Sequence, residues 1–302
     1  MKPLWGIDLG GTKIEGIVVD AADNYRTLAR RRIPTERTKG YQHTLGRIAH
    51  LVDLLQEETS LEPASIGMGT PGAMDPDTEK LKNSNSQQLL NQPLQRDLEQ
   101  LLKVPMKLAN DANCFAIAET KLGIVADKLP DAKVVFGIIM GTGVGGGVVI
   151  DGKVLNGRHG IGGEWGHNFL DETGGPCYCG KTGCVETILS GPALEKFYQS
   201  ISGQQLNLKE IYQQAKKGDD PFAQQTLDRL LHFFGKALAV VINILDPDAI
   251  VIGGGLGNIP ELYDQGLKEI VKHVFNPILR TPILKPKLGD SAGVFGAAML
   301  VE

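Results

Sequence analysis

The sequence has no run of 18 apolar residues, which argues against a transmembrane helix. Its first 20 residues lack a cationic segment followed by a long apolar stretch, so they read as structure and not as a signal peptide. The expectation is a cytoplasmic protein with no membrane partner. A basic excess is missing too. The 31 Lys and Arg face 35 Asp and Glu, for a formal net charge of -4. That balance excludes a basic nucleic-acid surface as the main business of the chain, and aromatics at 6% leave little for base stacking. Cysteine is scarce, at four. Cys114 stands alone and reads as a small buried hydrophobe, whereas Cys177, Cys179 and Cys184 fall within one short loop. In a reducing compartment such clustering points to a metal and not to disulfides.

Glycine is what the sequence has in excess: 38 of 302 residues, against a usual share of about 7%. The glycines cluster without a period, so collagen-like and low-complexity readings fail. Clustered glycine lets backbone approach something closely. The length suggests about two domains.

Strands alternate with helical patterns along the chain, the mark of an α/β protein. The residues 4–8 and 14–19 read as a hairpin with its tip at Gly10-Gly11-Thr12. A further strand is expected over 25–33, a helix over 41–58, a strand over 65–69, a helix over 94–103, and a strand over 106–109. Asp111 then stands at an N-cap position before a helix over 112–122. Strands are expected over 133–140 and 148–154, with a glycine loop, 141–147, between them. One long helix is read over 221–245, from apolar positions 227, 230, 231, 234, 238, 241, 242 and 245. A strand over 249–252, a loop over 253–257, and helices over 261–275 and 291–301 complete the pattern. The expected division is a small α/β domain of residues 1–122 plus 290–302, and a larger one of residues 123–289.

One repeat organises the reading. Strand, Gly-Thr turn, strand occurs at 4–19 and again at 134–154, with Gly11-Thr12 in one turn and Gly141-Thr142 in the other. Two similar domains facing across a cleft would aim both turns at one ligand, and nests of backbone N–H groups bind phosphate. The run Gly141-x-Gly143-x-x-Gly146 matches the dinucleotide fingerprint only formally, because a strand and not a helix follows it. A Walker A loop also fails, because Lys13 follows Thr12 and not a glycine. The loop Gly253-Gly254-Gly255-Leu256-Gly257 joins a strand to a helix and offers bare backbone to a nucleotide.

His167, Cys177, Cys179 and Cys184 form H-x9-C-x-C-x4-C, four nitrogen and sulfur ligands suited to structural zinc. Asp111 can cap a helix and can also accept a hydroxyl proton in phosphoryl transfer, where positioning dominates. A helix N-terminus would stabilise its carboxylate and make it a weak base. Glu164, His167 and Glu186 flank the cysteine loop. With Asn110 they are the residue types that hydrogen-bond sugar hydroxyls.

Asp8-Leu9-Gly10-Gly11-Thr12-Lys13, Gly163-Glu164-Trp165-Gly166-His167 and Cys177-x-Cys179-Gly180-x-x-Gly183-Cys184-x-Glu186 together resemble the ROK family of bacterial sugar kinases and sugar-responsive repressors. The segments 83–86, 108–114 and 176–181 look most like its fructokinase/mannokinase branch. The resemblance implies an actin-like ATPase (ribonuclease H-like) fold, with ATP and sugar in the cleft. It implies Asp111 as catalytic base and Asn110, Glu164, His167 and Glu186 as sugar ligands, with His167 also on Zn²⁺. Asp8 would lie near Mg²⁺. Gly10, Gly11, Thr12, Lys13, Gly141, Thr142 and Gly143 would lie near the phosphates, and Gly254, Gly255 and Leu256 near the adenosine. A homodimer is also implied. Family repressors carry an extra N-terminal helix-turn-helix, for which a hairpin starting at Leu4 leaves no room. The expected activity is therefore ATP-dependent phosphorylation of the 6-hydroxyl of a neutral hexose. Fructose comes first, with mannose or glucose as slower substrates. A glucokinase or an N-acetylglucosamine kinase of the same family is the alternative.

Overall fold

In the computed structural model, which describes residues 3–84 and 86–302, the chain divides into two units. The first comprises residues up to Asp131, then Gly147–Gly163 and Lys287–Glu302; the second comprises Ala132–Gly146 and Glu164–Pro286. The sequence reading placed the change of unit near residue 123. It comes later because a short helix over 124–128 stays with the first unit: Val125 is buried, and the Glu119 side chain accepts the Ile124 N–H at 2.9 Å.

In the first unit the hairpin β1 (Leu4–Leu9) and β2 (Lys13–Asp20) is antiparallel, and β3 (Arg26–Pro34) extends it. Helix α1 (Tyr41–Thr59) buries Leu45, Ile48, Leu51, Val52 and Leu55, a stripe at helical spacing. Strand β4 (Ile66–Thr70) pairs parallel with β1. A small ribbon follows, β5 (Ala73–Met74) with β6 (Leu81–Lys82). Asn85, in one of the segments that carried the fructokinase likeness, lies outside the described residues. After α2 (Leu94–Leu102), β7 (Met106–Asn110) pairs parallel with β4 and runs directly into α3 (Asp111–Lys121), followed by α4 (Ile124–Lys128). The sheet order is β3-β2-β1-β4-β7.

The second sheet repeats that order. Strands β8 (Val134–Met140), β9 (Val144–Ile150) and β10 (Lys153–Val154) precede four helices: α5 (Glu186–Leu189), α6 (Gly191–Ser202), α7 (Leu208–Lys217) and α8 (Pro221–Leu245). Strand β11 (Ala249–Gly253), α9 (Gln265–Val271), β12 (Ile283–Leu284) and α10 (Ala292–Met299) close the chain. The sheet order is β10-β9-β8-β11-β12, with β11 parallel to both β8 and β12. The duplicated hairpin thus marks a duplicated sheet.

Three differences from the sequence reading have physical causes. The glycine loop shrinks to residues 141–143, because Val144–Gly147 already lies in β9. Its glycine is needed for close approach: a Cβ on Gly147 would sit 2.7 Å from the Ala112 carbonyl oxygen. Helices α6 and α7 were not read at all, because the Gly and Cys texture before them hid the change of period. The helix expected over 261–275 is a turn at Pro260–Tyr263 and a shorter α9, because Pro260 sets the turn and α9 stops at Val271.

In the first unit α10 lies directly on the central strands. A Cβ on Gly6 would come within 2.5 Å of the Ala298 nitrogen, one on Gly67 within 1.8 Å of the Ala297 oxygen, and one on Gly296 within 1.8 Å of the Cys114 oxygen. Only glycine permits these three backbone contacts.

Candidate functional site

In the first unit the β1–β2 tip is tied down by backbone. Gly10 N–H donates to the Lys13 carbonyl at 3.0 Å, and the Thr35 hydroxyl donates to the Gly10 carbonyl at 2.7 Å. The Arg37 guanidinium sits against Gly11, with Nη1 3.4 Å from where a Cβ would lie. Arg37 was missed by the sequence reading; its signal was a cation just beyond a strand that pairs with the hairpin.

Asp8, on β1, faces Glu15 directly across the β1–β2 pairing. Two acids in register repel. Glu15, 2% exposed, is answered from β3 by Arg30 at 2.5 Å and Arg32 at 2.6 Å. Among the described residues no such clamp closes on Asp8. Burial first, then the Asp111 and Glu15 charges, push its carboxyl up to about 6, against the opposing pull of Lys13 and Arg32. Gly69 and Gly293 keep the space beside it open: Cβ atoms there would lie 3.5 and 3.1 Å from its oxygens.

The β7–α3 junction divides two tasks that the sequence reading gave to one residue. Asn110 is the N-cap, its Oδ1 accepting the Asn113 N–H at 2.7 Å. Asp111 is instead the first residue of the helix, and its Oδ1 accepts the Ala112 N–H at 2.8 Å. Its side chain reaches solvent, yet protein surrounds it closely enough that burial raises its carboxyl above the ordinary range, overcoming the backbone N–H groups that lower it. The expectation that the helix N-terminus holds this carboxyl down is thus corrected: burial outweighs it. The Oδ1 of Asn110 is committed to the cap.

In the second unit three pieces of backbone converge on the β8–β9 turn. A Cβ on Gly141 would be 4.0 Å from the Gly255 nitrogen, and Gly191 N–H donates to the Gly141 carbonyl at 2.8 Å. Gly254, at φ +81°, packs against β8, where a Cβ would lie 2.3 Å from the Met140 oxygen. Leu256 is buried behind this loop. Gly191 opens α6, capped by Ser190. The sequence reading did not include that helix N-terminus.

The segment that follows β9 and β10 is pinned by Trp165, whose Nε1–H donates to the Gly145 carbonyl at 3.0 Å and whose ring meets Phe136 edge-on. Glu164 stands just before it. Glu186 opens α5, and its Oε2 accepts the Val144 N–H at 2.9 Å. A side chain on Gly143 would collide with that oxygen, its Cβ 2.6 Å away. The carboxylate therefore joins the cysteine loop to the Gly-Thr turn.

His167, Cys177, Cys179 and Cys184 come together with one ligand atom from each within 4.8 Å of the others. None is in a disulfide. Cys177 Sγ lies 3.6 Å from His167 Nδ1, and Cys179 Sγ lies 3.6 Å from Cys184 Sγ. A tetrahedral zinc site has edges of about 3.5 Å for N···S and about 3.8 Å for S···S, so the four residues fit such an ion. The other ring nitrogen, His167 Nε2, is 2.9 Å from the Tyr178 hydroxyl, which fixes the imidazole as outer-shell partners do. Desolvation at the hydroxyl end of an otherwise exposed ring, then the charges of Glu186, Cys177 and Glu164, push Tyr178 up to about 12. A further tie comes from α8. Arg229, between the rings of Phe197 and Phe233 at 4.6 Å from each, donates to the Thr173 hydroxyl at 2.9 Å. Tyr178 and Arg229 also escaped the sequence reading.

Comparison with known proteins places this arrangement. The ROK family model matches residues 4–302. N-acetyl-D-glucosamine kinase of Vibrio atlanticus (strain LGP32) is 37% identical over 306 residues, covering 98% of each chain. The ROK hexokinase structure from Thermus thermophilus superimposes with a TM-score of 0.87 at 32% identity, over 99% of this chain and 97% of that one. A ROK family glucokinase from Streptomyces griseus, solved with glucose and AMPPNP, gives 0.76 at 28% identity, over 99% and 98%. The repeated sheet is that of the actin-like ATPase fold. The match runs from the first strand through the closing helix and so spans both units: the chain belongs to the ROK family and is a sugar kinase.

Proposed function

We propose that the chain transfers the γ-phosphoryl group of ATP to the 6-hydroxyl of N-acetyl-D-glucosamine. The observation that carries the choice of sugar is the full-length likeness to kinases named for that sugar. It favours the alternative over fructose, which rested on short segments, one of them containing Asn85.

The first unit supplies Asp111, whose carboxylate takes the hydroxyl proton as the sugar oxygen attacks γ-phosphorus and ADP departs. A raised carboxyl is closer to the working pH and accepts the proton more readily. Backbone N–H groups of Gly11 and Thr12, with Lys13 and Arg37, hold phosphate oxygens, while the Gly10 N–H closes the turn on the Lys13 carbonyl. Asp8 would hold Mg²⁺, which neutralises phosphate charge when bound. The second unit supplies Gly141, Thr142 and Gly143 to the phosphates, and Gly254, Gly255 and Leu256 to the adenosine. Asn110, Glu164 and Glu186 address sugar hydroxyls; His167, with Nδ1 turned to the cysteines and Nε2 on the Tyr178 hydroxyl, reaches a sugar only by giving up that hydroxyl. Zn²⁺ on His167, Cys177, Cys179 and Cys184 would fix the loop that carries Glu164 and Glu186.

No helix among the described residues is long and apolar enough to cross a membrane, in keeping with a cytoplasmic enzyme. A homodimer is part of the reading. Val240 and Ile244 lie one turn apart on α8, exposed to 48% and 74%, and Phe275, 94% exposed, donates its N–H to Asn243 beside them. They offer an apolar face for a second copy.

The test of the sugar is kcat/KM for N-acetylglucosamine, glucose, mannose and fructose with ATP and Mg²⁺. N-acetylglucosamine should lead by more than about tenfold, equivalent to about 1.4 kcal/mol of transition-state binding. A lead for fructose restores the original expectation, with the kinase reading intact.

Asp8 gives a pH prediction. Its native carboxyl at about 6, against an ordinary 3.8, binds a proton more readily than in the unfolded chain. Its contribution to stability is present below 3.8 and lost as pH rises through 6. Cation binding moves the other way, because it needs the ionised form. The Mg²⁺ concentration for half-maximal rate should therefore rise about tenfold between pH 7 and pH 5. A flat Mg²⁺ requirement across that range would remove Asp8 from the cation site.

A further inference from the structure

We propose that the chain carries a second transition-metal site, formed by His232, Glu269 and His273, which takes Zn²⁺ or an ion of similar nitrogen and oxygen preference. It is separate from the cysteine cluster and uses no residue assigned to ATP or sugar.

His232 lies on α8, Glu269 on α9, and His273 in the turn that ends α9. One ligand atom from each lies within 4.8 Å of the others. His232 Nδ1 is 3.8 Å from Glu269 Oε2, and the two imidazole rings are 5.8 Å apart at 76°. The Glu269 carboxylate is shared without conflict. Lys272 takes Oε1 at 2.5 Å, which leaves Oε2 turned toward His232. The His273 N–H donates to the Ile270 carbonyl at 3.0 Å, so the chain keeps turning beyond α9 and brings His273 to the side of Glu269.

The scaffold beneath these three side chains is fixed. Gly235 follows His232 by three residues, and a Cβ on it would lie 2.5 Å from the Glu269 Cβ. The two helices therefore touch backbone to side chain beside the cluster, at a point that tolerates no larger residue. His232 also packs edge-on against Phe233, at 5.0 Å between ring centroids. A site on two helices in fixed contact is better preorganised than one on loops.

The donor set identifies the ion. Two imidazoles and one carboxylate suit zinc and its neighbours, whereas Mg²⁺ and Ca²⁺ call for oxygen throughout. Three protein ligands leave a fourth position for water. Ligand atoms around tetrahedral zinc lie about 3.3 Å apart, so the side chains must draw in from their present spacing. His232, with half of its side chain exposed, is free to do so. A bound ion would cross-link α8 to α9. It would do so one turn from Arg229, which holds the cysteine loop through Thr173.

The experiment counts zinc bound to the full chain after dialysis against micromolar Zn²⁺, with calorimetric titration alongside. Wild type is compared with His232→Ala, His273→Ala and Glu269→Gln, and circular dichroism checks that each is folded. The quantity read is the difference between wild type and variant, so occupancy of the cysteine cluster drops out. The expected result is one ion fewer in the two alanine variants and at least tenfold weaker binding in Glu269→Gln. Millimolar Mg²⁺ should not compete. Equal zinc content in wild type and both alanine variants, or displacement by Mg²⁺, would overturn the proposal.

Discussion

Asp111→Asn is expected to lower kcat by about 10²–10⁴-fold, the usual cost of removing a general base, and to leave the fold untouched. The division of labour at the β7–α3 junction makes the experiment clean. The helix cap belongs to Asn110, through the Asn113 N–H. The contacts of the Asp111 carboxylate with backbone N–H groups, that of Ala112 at 2.8 Å among them, can be kept by an amide oxygen. Asparagine removes the proton acceptor and little else. The comparison to make is turnover against thermal midpoint for wild type and variant. A variant that folds normally and turns over at near the wild-type rate would leave Asp111 with no chemical role.

Cys179→Ser should release zinc, lower stability by more than about 3 kcal/mol, in the range reserved for lost metal sites, and reduce activity at least tenfold. Cys179 is exposed, so replacing sulfur by oxygen forfeits almost no packing, and a large loss would have to pass through the ion. The loop has other ties: the Trp165 indole in its pocket, the bridges Phe169–Cys184 and Pro176–Thr182, and Arg229 on Thr173. The expected loss is therefore a fraction of the roughly 10–16 kcal/mol by which zinc folds an isolated finger. Activity follows because Glu186, two residues beyond Cys184, holds the Val144 N–H of the Gly-Thr turn. Metal analysis of the wild type is the decisive control, since a protein purified without stoichiometric zinc and fully active would end the argument.

The elements that were legible in the sequence are those whose signal is local. Helix α8 was read from eight apolar positions, of which Leu227, Leu230, Leu231, Phe234, Leu238, Val241 and Ile242 are buried. The hairpin tips were legible because Gly-Thr turns punctuate β-branched runs. The cysteine cluster was legible because few other arrangements need three thiols in a loop without a core. What escaped depends on three-dimensional neighbours. Arg37 could be suspected only once β3 was known to pair with the hairpin, and nothing near Arg229 points to Thr173, 56 residues away. The cap was misassigned by one residue, because Asn and Asp compete equally for that position and only backbone angles choose. The pull of burial on Asp111 against its helix terminus was invisible for the same reason: desolvation is a property of the packed chain.

The close seating of α10 on Gly6 and Gly67 bears on the order in which a ribosome can complete the molecule. Strands β1 and β4 are made more than 200 residues before the helix that covers them, Ala292–Met299. Domains fold as units during synthesis, generally from the N-terminal end. Here the second unit has all its residues once Pro286 has emerged, while the first still waits for Lys287–Glu302. The half of the enzyme that is begun first is finished last. Until then Leu4, Ile17 and Val19 lack Val294 and Ala298, their later partners in one apolar cluster, and incompletely covered apolar surface of that kind is prone to aggregation.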